Sequence, residues 1–170
     1  MAGGIVIRVE MQGLEGLQQA LKAERAAVPC RRFLKRVGNE VVKNTKPKVP
    51  VNFGFLKGSI TQVVIERTPV PTLVRIGSNE KYAPFVEFGR PPGKQPPYDA
   101  IDLWYRRKNQ IGPDDDVTDA VNNIRRAIGK RGTAAQPYLA PGFKASVPMI
   151  QRFVFTLGEE LEKAFADGSR

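Results

Sequence analysis

Hydrophobic residues alternate with polar ones at the start of the chain and then change to helical spacing. Residues 5–11 place every second side chain on one face, which predicts a half-buried strand. Leucines recur at helical spacing over residues 14–21, so a short amphipathic helix is expected there. A longer helix is predicted over residues 30–46, with an apolar stripe along a basic segment and Pro29 in its first turn.

The middle of the chain predicts a small antiparallel sheet. Residues 51–58 form a glycine-containing loop that is too apolar to be fully solvated, so we expect it to fold onto the core or to contact a partner. Residues 60–67 and 73–76 alternate like strands and are separated by prolines, which predicts a hairpin with a wide turn. Residues 82–88 are expected to be a third short extended or mixed segment, with Glu87 on its outer face or bound to a partner.

The second half of the chain is expected to be helical. A stiff proline segment at 91–97 leads into a helix at 98–108. The acidic run 114–116 is expected to cap a second helix, which Gly129 closes. A last helix begins between Pro141 and Pro148, in one or two pieces. The predicted fold is α+β: a small antiparallel β-sheet packed against two long helices, in a single domain 1–170 with a helical insertion at about 90–132.

The charge of the chain changes this picture, because the formal net charge is +10. Such an excess indicates a negatively charged neighbour: nucleic acid, an acidic protein surface or anionic lipid. The most basic segment is the helix at 30–46. Its candidate basic face consists of Arg31, Arg32, Lys35, Arg36 and Lys43. This face could meet phosphate or an acidic subunit, or it could be a solvated helix back, and no interleaved aromatic residues indicate base stacking.

Several kinds of chemistry are excluded or disfavoured by composition. The chain has no histidine, so Ser-His-Asp, Cys-His and histidine-containing zinc sites are impossible. Its single cysteine, Cys30, excludes an internal disulfide and fits synthesis in a reducing cytoplasm. The acidic run lacks the ligand spacing of a calcium loop. We expect no metal, no cofactor, no catalysis, no secretory signal and no membrane-spanning helix.

Four motifs, at residues 50–60, 82–89, 101–108 and 131–141, occur in this order along the chain. The order resembles that of the tail-component family of long-tailed bacteriophages, the small tail-completion or head–tail joining proteins of the neck. The first is Pro-Val-Asn-Phe-Gly-Phe-Leu-Lys-Gly-Ser-Ile at 50–60, which departs from the family's Asp-Thr at positions 52 and 53. The second is Tyr-Ala-Pro-Phe-Val-Glu-Phe-Gly at 82–89, and the third is the Ile-x-x-Trp-x-x-Arg-Lys helix at 101–108. The fourth is the stretch at 131–141, with Tyr138 where the family usually has Phe.

The resemblance implies a structural virion protein, made in the host cytoplasm and located in the tail or neck of the particle. It implies a homo-oligomeric ring, most often a hexamer, stacked between a head-closure ring and a tail terminator or tail tube protein. Genomic DNA would pass nearby without specific binding. A tail terminator that caps the tail tube is the nearest alternative, and a basic nucleic-acid-binding module is the alternative of a different class.

A ring subunit needs surfaces that reach its neighbours, because closed rings use one patch against a different patch on the next copy. The aromatic motifs and the proline segment are the candidates for such surfaces. The predicted interface residues are Phe53, Phe55, Leu56, Tyr82, Phe85, Glu87, Phe88, Arg90, Pro91 and Pro92.

Overall fold

The structure is a computed structural model that describes residues 5–10, 23–51, 54–66 and 70–166. Within these ranges the chain forms three strands, six α-helices and one 3-10 turn. The elements are β1 Ile5–Glu10, α1 Ala23–Thr45, the 3-10 turn Lys46–Lys48, α2 Phe55–Ser59, β2 Thr61–Ile65, β3 Leu73–Ser78, α3 Ala83–Phe88, α4 Tyr98–Asn109, α5 Thr118–Arg131 and α6 Leu139–Ala166. The helix predicted over 14–21 lies outside the described residues.

The three strands form one antiparallel sheet in the order β1-β3-β2. Ile76 of the central strand pairs with Ile7 on one side and with Gln62 on the other. The predicted hairpin between the second and third strands is therefore confirmed. The central strand β3 is paired along both edges, and its apolar side chains Leu73, Val74 and Ile76 are all 0% exposed.

Helix α1 supplies the main core. Its apolar stripe consists of Phe33, Leu34, Val37 and Val41, spaced at three and four residues so that all four lie on one face. This stripe packs with side chains of β3 and with partly buried residues of α6: Phe143, Ile150, Phe153 and Leu157. The sheet and the two long helices thus share one apolar core, and the predicted α+β class is confirmed.

The two long helices approach most closely near Gly142. A Cβ atom at this position would overlap with Thr45 Oγ1 and lie 2.7 Å from Thr45 Cα. Nearby, Ser146 Oγ lies 3.0 Å from the Asn44 amide nitrogen, which donates to it. Glycine at 142 therefore allows a backbone contact between α1 and α6 that no larger residue would permit.

Several helix boundaries differ from the sequence prediction. Helix α1 begins at Ala23, so Pro29 lies inside it and not in its first turn. Helix α6 is a single element from Leu139, with Pro148 inside it. Proline has no backbone N–H, so one carbonyl of the preceding turn lacks its helical hydrogen bond. Because Pro148 is exposed, water can reach this carbonyl. Helix α5 runs past Gly129 and is closed by Gly132, where the backbone turns to a φ of 74°.

Two short helices replace predicted loop and strand. Residues 55–59 form a helical turn, and residues 83–88 form α3, so the expectation of a third extended segment was wrong. Helices α4 and α5 contact each other, as expected for the predicted helical pair at about 90–132. That this pair is an insertion in a single domain 1–170 stays a prediction.

Candidate functional site

The short helix α3 is built by the sequence between Tyr82 and Gly89. Pro84 occupies its first turn, where a missing backbone N–H leaves no helical hydrogen bond unmade. Gly89 ends the helix with a φ of 74°, a conformation that favours glycine. A Cβ atom at Gly89 would also lie 2.7 Å from the carbonyl oxygen of Thr133, so this position needs glycine for two independent reasons.

Helix α3 has the reverse of the usual polarity. Its acid faces inward, since Glu87 is only 4% exposed, and Ala83 on the same side is fully buried. Its aromatic residues face outward: Tyr82 is 41% exposed, Phe85 51% and Phe88 73%. Aromatic side chains this exposed on one helix are typical of a surface that another protein covers.

The inward carboxylate caps helix α6 from a distance of about fifty residues in sequence. Glu87 Oε2 accepts the backbone N–H groups of Tyr138 and Leu139 at 2.7 and 2.9 Å, and Oε1 accepts that of Ala140 at 3.0 Å. These are donors that the first turn of a helix cannot satisfy internally. The expectation that Glu87 lies on the outer face was wrong, and the buried carboxylate is not part of an exposed contact surface.

The capped turn also buries Tyr138, whose side chain is fully enclosed beside Leu56, Ile60 and Ala83. Its hydroxyl oxygen has no hydrogen-bond partner among the described residues. Burial, followed by the nearby charge of Glu87, raises the pKa of Tyr138 to about 12. The hydroxyl that distinguishes this tyrosine from phenylalanine therefore lies in an apolar site.

Backbone hydrogen bonds hold two of the sequence motifs side by side. The Gln136 N–H donates to the Val86 carbonyl at 2.8 Å. Arg90 and Thr133 exchange two backbone hydrogen bonds, at 2.8 and 2.9 Å. The motif at 82–89 and the stretch at 131–141 thus form one structural unit.

The first motif joins this unit through helix α2. Leu56 is 4% exposed and belongs to the same apolar cluster as Tyr138, whereas its neighbour Phe55 is 58% exposed. The expectation that the loop at 51–58 folds onto the core therefore holds for Leu56. Phe53 lies outside the described residues. Tyr82 lies against the Leu56 backbone, and partial burial, with a smaller effect of Glu80, raises the pKa of its phenol.

Together, α2 and α3 present a surface that is both aromatic and cationic. We call it the aromatic surface and define it by the exposed aromatic residues Phe55, Tyr82, Phe85 and Phe88 with the basic residues Lys57, Lys81 and Arg90. The Arg90 guanidinium lies 5.6 Å from the centre of the Phe85 ring, a cation–π distance. The surface can therefore offer apolar anchors and positive charge to the same partner.

The proline segment after Arg90 is fixed against the helical pair. The Gly93 N–H donates to the Gly129 carbonyl at 2.7 Å, and Arg125 Nε donates to the Pro96 carbonyl at 2.9 Å. Pro91 and Pro92 are exposed at the border of the aromatic surface. The segment is thus held along α5, and only its first residues are placed to take part in a contact.

The candidate basic face on α1 is largely compensated within the chain. Arg31 Nε and Nη2 donate to the Glu66 carboxylate at 2.8 and 2.9 Å. Arg32 and Arg36 both contact Glu160 on α6, at 3.1 and 3.0 Å. The Arg31 hydrogen bonds hold the pKa of Glu66 below its usual value. Lys35 and Lys43 are exposed, and a Glu40 oxygen lies 3.7 Å from the Lys43 ammonium.

The acidic run has a structural role and borders a pocket. The N-cap of α5 is Val117, which makes no side-chain cap, so the predicted capping by a carboxylate is met only in part. Asp116, one residue earlier, accepts the N–H of Thr118 on Oδ1 at 2.9 Å, and this hydrogen bond lowers the pKa of Asp116. Asp115 Oδ2 accepts the Gly112 N–H at 3.2 Å. An open pocket of about 460 Å³ lies beside these groups. It is lined by Tyr105, Ile111, Asp115, Asp116, Val117, Asp119 and Ala120.

Two features are absent from the part of the chain that the structure describes. No group of three or more carboxylate or cysteine side chains is arranged to hold a metal ion. No helix there is long and apolar enough to cross a membrane.

The comparison with protein families concerns the first half of the chain. Residues 14–89 match the family described as "Bacteriophage HK97-gp10, putative tail-component". The resemblance to a phage tail-component family is thereby confirmed over these residues. The matched part includes the aromatic surface up to Phe88, and it ends at Gly89, before α4, α5 and α6. No curated protein and no solved structure matches the chain.

The match over residues 14–89 indicates a phage tail-related structural protein. Sequence reasoning missed one functional feature, the inverted polarity of α3. Its signal was present in the aromatic spacing of three residues from Tyr82 to Phe88 and in Pro84 at a possible first turn. The role of Glu87 had no local signal, because its three donors lie at the start of another helix.

Proposed function

We propose that this chain is a ring-forming structural protein of a tailed-phage neck, which completes the tail or joins it to the head. The observation that carries the proposal is the aromatic surface within the segment that matches the tail-component family. Its aromatic side chains lie outward while the only acid of α3 lies inward, which supports a role in binding a neighbouring subunit. The ring, its copy number and its stacking on a head-closure or tail protein are parts of this proposal.

The charge distribution favours this proposal over a nucleic-acid-binding module. Three arginines of the candidate basic face, Arg31, Arg32 and Arg36, are paired with carboxylates of the same chain. Phosphate binding would have to displace these pairs before it could release counterions. Positive charge on the aromatic surface is better suited to steering an acidic protein partner into place.

The first test disrupts the gene in its parent phage and examines the lysate by negative-stain microscopy. The proposal expects filled heads beside finished but unattached tails. Overlong or ragged tails would indicate that the protein terminates the tail and does not join it to the head. Normal infectious particles would contradict both virion roles.

The second test asks whether the aromatic surface is the contact. Phe88→Ser, supplied from a plasmid, should fail to restore infectivity to the disrupted phage, because Phe88 is 73% exposed and its loss removes an apolar anchor. Phe155→Ser is the matched control: Phe155 is 77% exposed and lies on α6, about 24 Å along the helix from its start. Full rescue by Phe88→Ser would remove the aromatic surface from the proposal.

A further inference from the structure

The helical pair carries a surface that is complementary to the aromatic surface. Near the start of α5, the open pocket of about 460 Å³ combines apolar lining from Ile111, Val117 and Ala120 with the carboxylates of the acidic run. In a chain with a net charge of +10, this is the only run of three acidic residues. The pocket is therefore suited to receive an aromatic side chain that is accompanied by positive charge.

The carboxylates around the pocket differ in what they already bind. Asp115 and Asp116 accept backbone N–H groups of the loop and of α5. Arg106 lies beside these carboxylates, since its guanidinium donates to Asp102 and to the carbonyl oxygens of Gly112 and Asp115, and its positive charge contributes to the lowered pKa of Asp116. Asp114 and Asp119 are exposed beside them. The rim of the pocket thus presents negative charge to an incoming partner.

The two surfaces lie too far apart to satisfy each other within one chain. The pocket is at the first turn of α5, whereas the end of α5 adjoins Gly93 and is followed by Thr133, which pairs with Arg90. A 14-residue helix separates these points, a length of about 20 Å. Two different complementary surfaces at separate places are what a head-to-tail contact between identical subunits requires.

We propose that the aromatic surface of one copy docks into the acidic pocket of the next copy, and that this head-to-tail contact closes the ring. The inference rests on the proposed ring function and names its subunit contact. Lys57, Lys81 and Arg90 on one copy face the carboxylates of the other, while an exposed phenylalanine of α3 enters the apolar part of the pocket. The same-charge alternative, aromatic surface against aromatic surface, would place these cations against each other.

The test uses two charge-reversal variants of the full chain in the gene-disrupted phage. The first, Lys57→Glu with Lys81→Glu, reverses the aromatic surface and leaves the pocket unchanged. The second, Asp114→Lys with Asp119→Lys, cancels the negative charge of the rim, because two lysines then offset Asp115 and Asp116, and it leaves the aromatic surface unchanged. Each variant supplied alone should lower the phage titre by at least about 100-fold, because every contact in its ring loses its charge complementarity.

Supplying both variants together should restore the titre to within about tenfold of wild type. In an alternating ring, one kind of contact is wild type. In the other, positions 57 and 81 carry negative charge while positions 114 and 119 carry positive charge, so these four positions are again complementary. No recovery on mixing, or full activity of either variant alone, would overturn the proposed contact. Thermal melts of each purified variant, followed by circular dichroism, show whether a low titre comes from misfolding or from a lost subunit contact. Lys144→Glu and Glu159→Lys, at exposed positions of α6, are the controls.

The outcomes separate this inference from the proposed function. If disruption of the gene gives detached heads and tails but the two variants supplied together do not restore the titre, the neck role stands and the head-to-tail contact is rejected. Normal particles after disruption reject the neck role itself.

Discussion

The buried carboxylate of Glu87 allows a quantitative test of how the family-like motifs stabilise the fold. We consider the isosteric substitution Glu87→Gln, which removes the charge and replaces one oxygen by an NH₂ group. The wild-type carboxylate accepts three backbone N–H groups, at 2.7, 2.9 and 3.0 Å, and is 4% exposed. Glutamine keeps one acceptor oxygen, which can serve two of these donors and leaves the third facing its NH₂ group.

The expected loss follows from two effects. One buried donor without a partner costs about 1–3 kcal/mol. Loss of the negative charge at the positive end of the α6 dipole costs about 0.5–2 kcal/mol in a partly buried site. Since the two effects concern the same group and are not strictly additive, we expect Glu87→Gln to lower the free energy of unfolding by about 2–4 kcal/mol. For a chain of this size the melting temperature should fall by about 4–16 °C.

The assay is urea unfolding monitored by circular dichroism, with a thermal melt as a second readout. Glu159→Gln is the control, because it makes the same chemical change at an exposed position of α6 and should alter stability by less than about 0.5 kcal/mol. Equal stability of Glu87→Gln and the control would refute the reasoning, since the three hydrogen bonds would then contribute nothing beyond solvation.

Three further predictions use the same unfolding measurements. Tyr138→Phe should lose less stability than wild type between about pH 10 and 12. In the wild type, the unfolded tyrosine ionises near pH 10 while the folded one has a pKa of about 12, so the free energy of unfolding falls as pH rises. Equal loss of stability in both proteins would contradict a buried Tyr138 hydroxyl. Glu66→Gln should weaken the dependence of the urea midpoint on pH below about 5. The pKa of Glu66 beside Arg31 is lowered from its usual 4.5, so the ionised carboxylate stabilises the fold above pH 4.5 and this contribution disappears as pH falls. An unchanged pH profile would show that the Arg31–Glu66 pair does not stabilise the fold. Gly89→Ala should destabilise the protein by at least about 2 kcal/mol, because the backbone has a positive φ there and the new methyl group would meet a carbonyl oxygen. Gly58→Ala is the control, because no atom crowds its methyl group, and it should not destabilise the protein. Equal stability of the two variants would rule out strain at Gly89.

Local pattern was sufficient for most of the secondary structure. Period two predicted β1 and the β2–β3 hairpin, because residues on one side of each strand face the core. Helical spacing predicted the stripe of α1 that packs on β3. Boundaries were less accurate where proline lay inside a helix, at Pro29 and Pro148, because tertiary packing offsets the loss of a single hydrogen bond.

Local pattern failed for α3, and the reason is physical. The usual rule places apolar side chains inward and acids outward, yet α3 buries Glu87 and exposes Phe85 and Phe88. The rule assumes that solvent covers the outer face. On our proposal a neighbouring subunit covers it, so a rule derived from isolated chains does not apply there.

The sequence by itself determined the types of the three strands and of the longer helices, the apolar stripes, the net charge, the absence of histidine chemistry and the resemblance that the comparison confirmed over residues 14–89. Only the tertiary structure decided which charges remain available. Arg31 meets Glu66 and Glu87 meets the start of α6 across 35 and about 50 residues of sequence, respectively. Hydrogen bonds and ion pairs act over a few ångströms, so partners this distant in the chain are chosen by the fold and not by any local pattern.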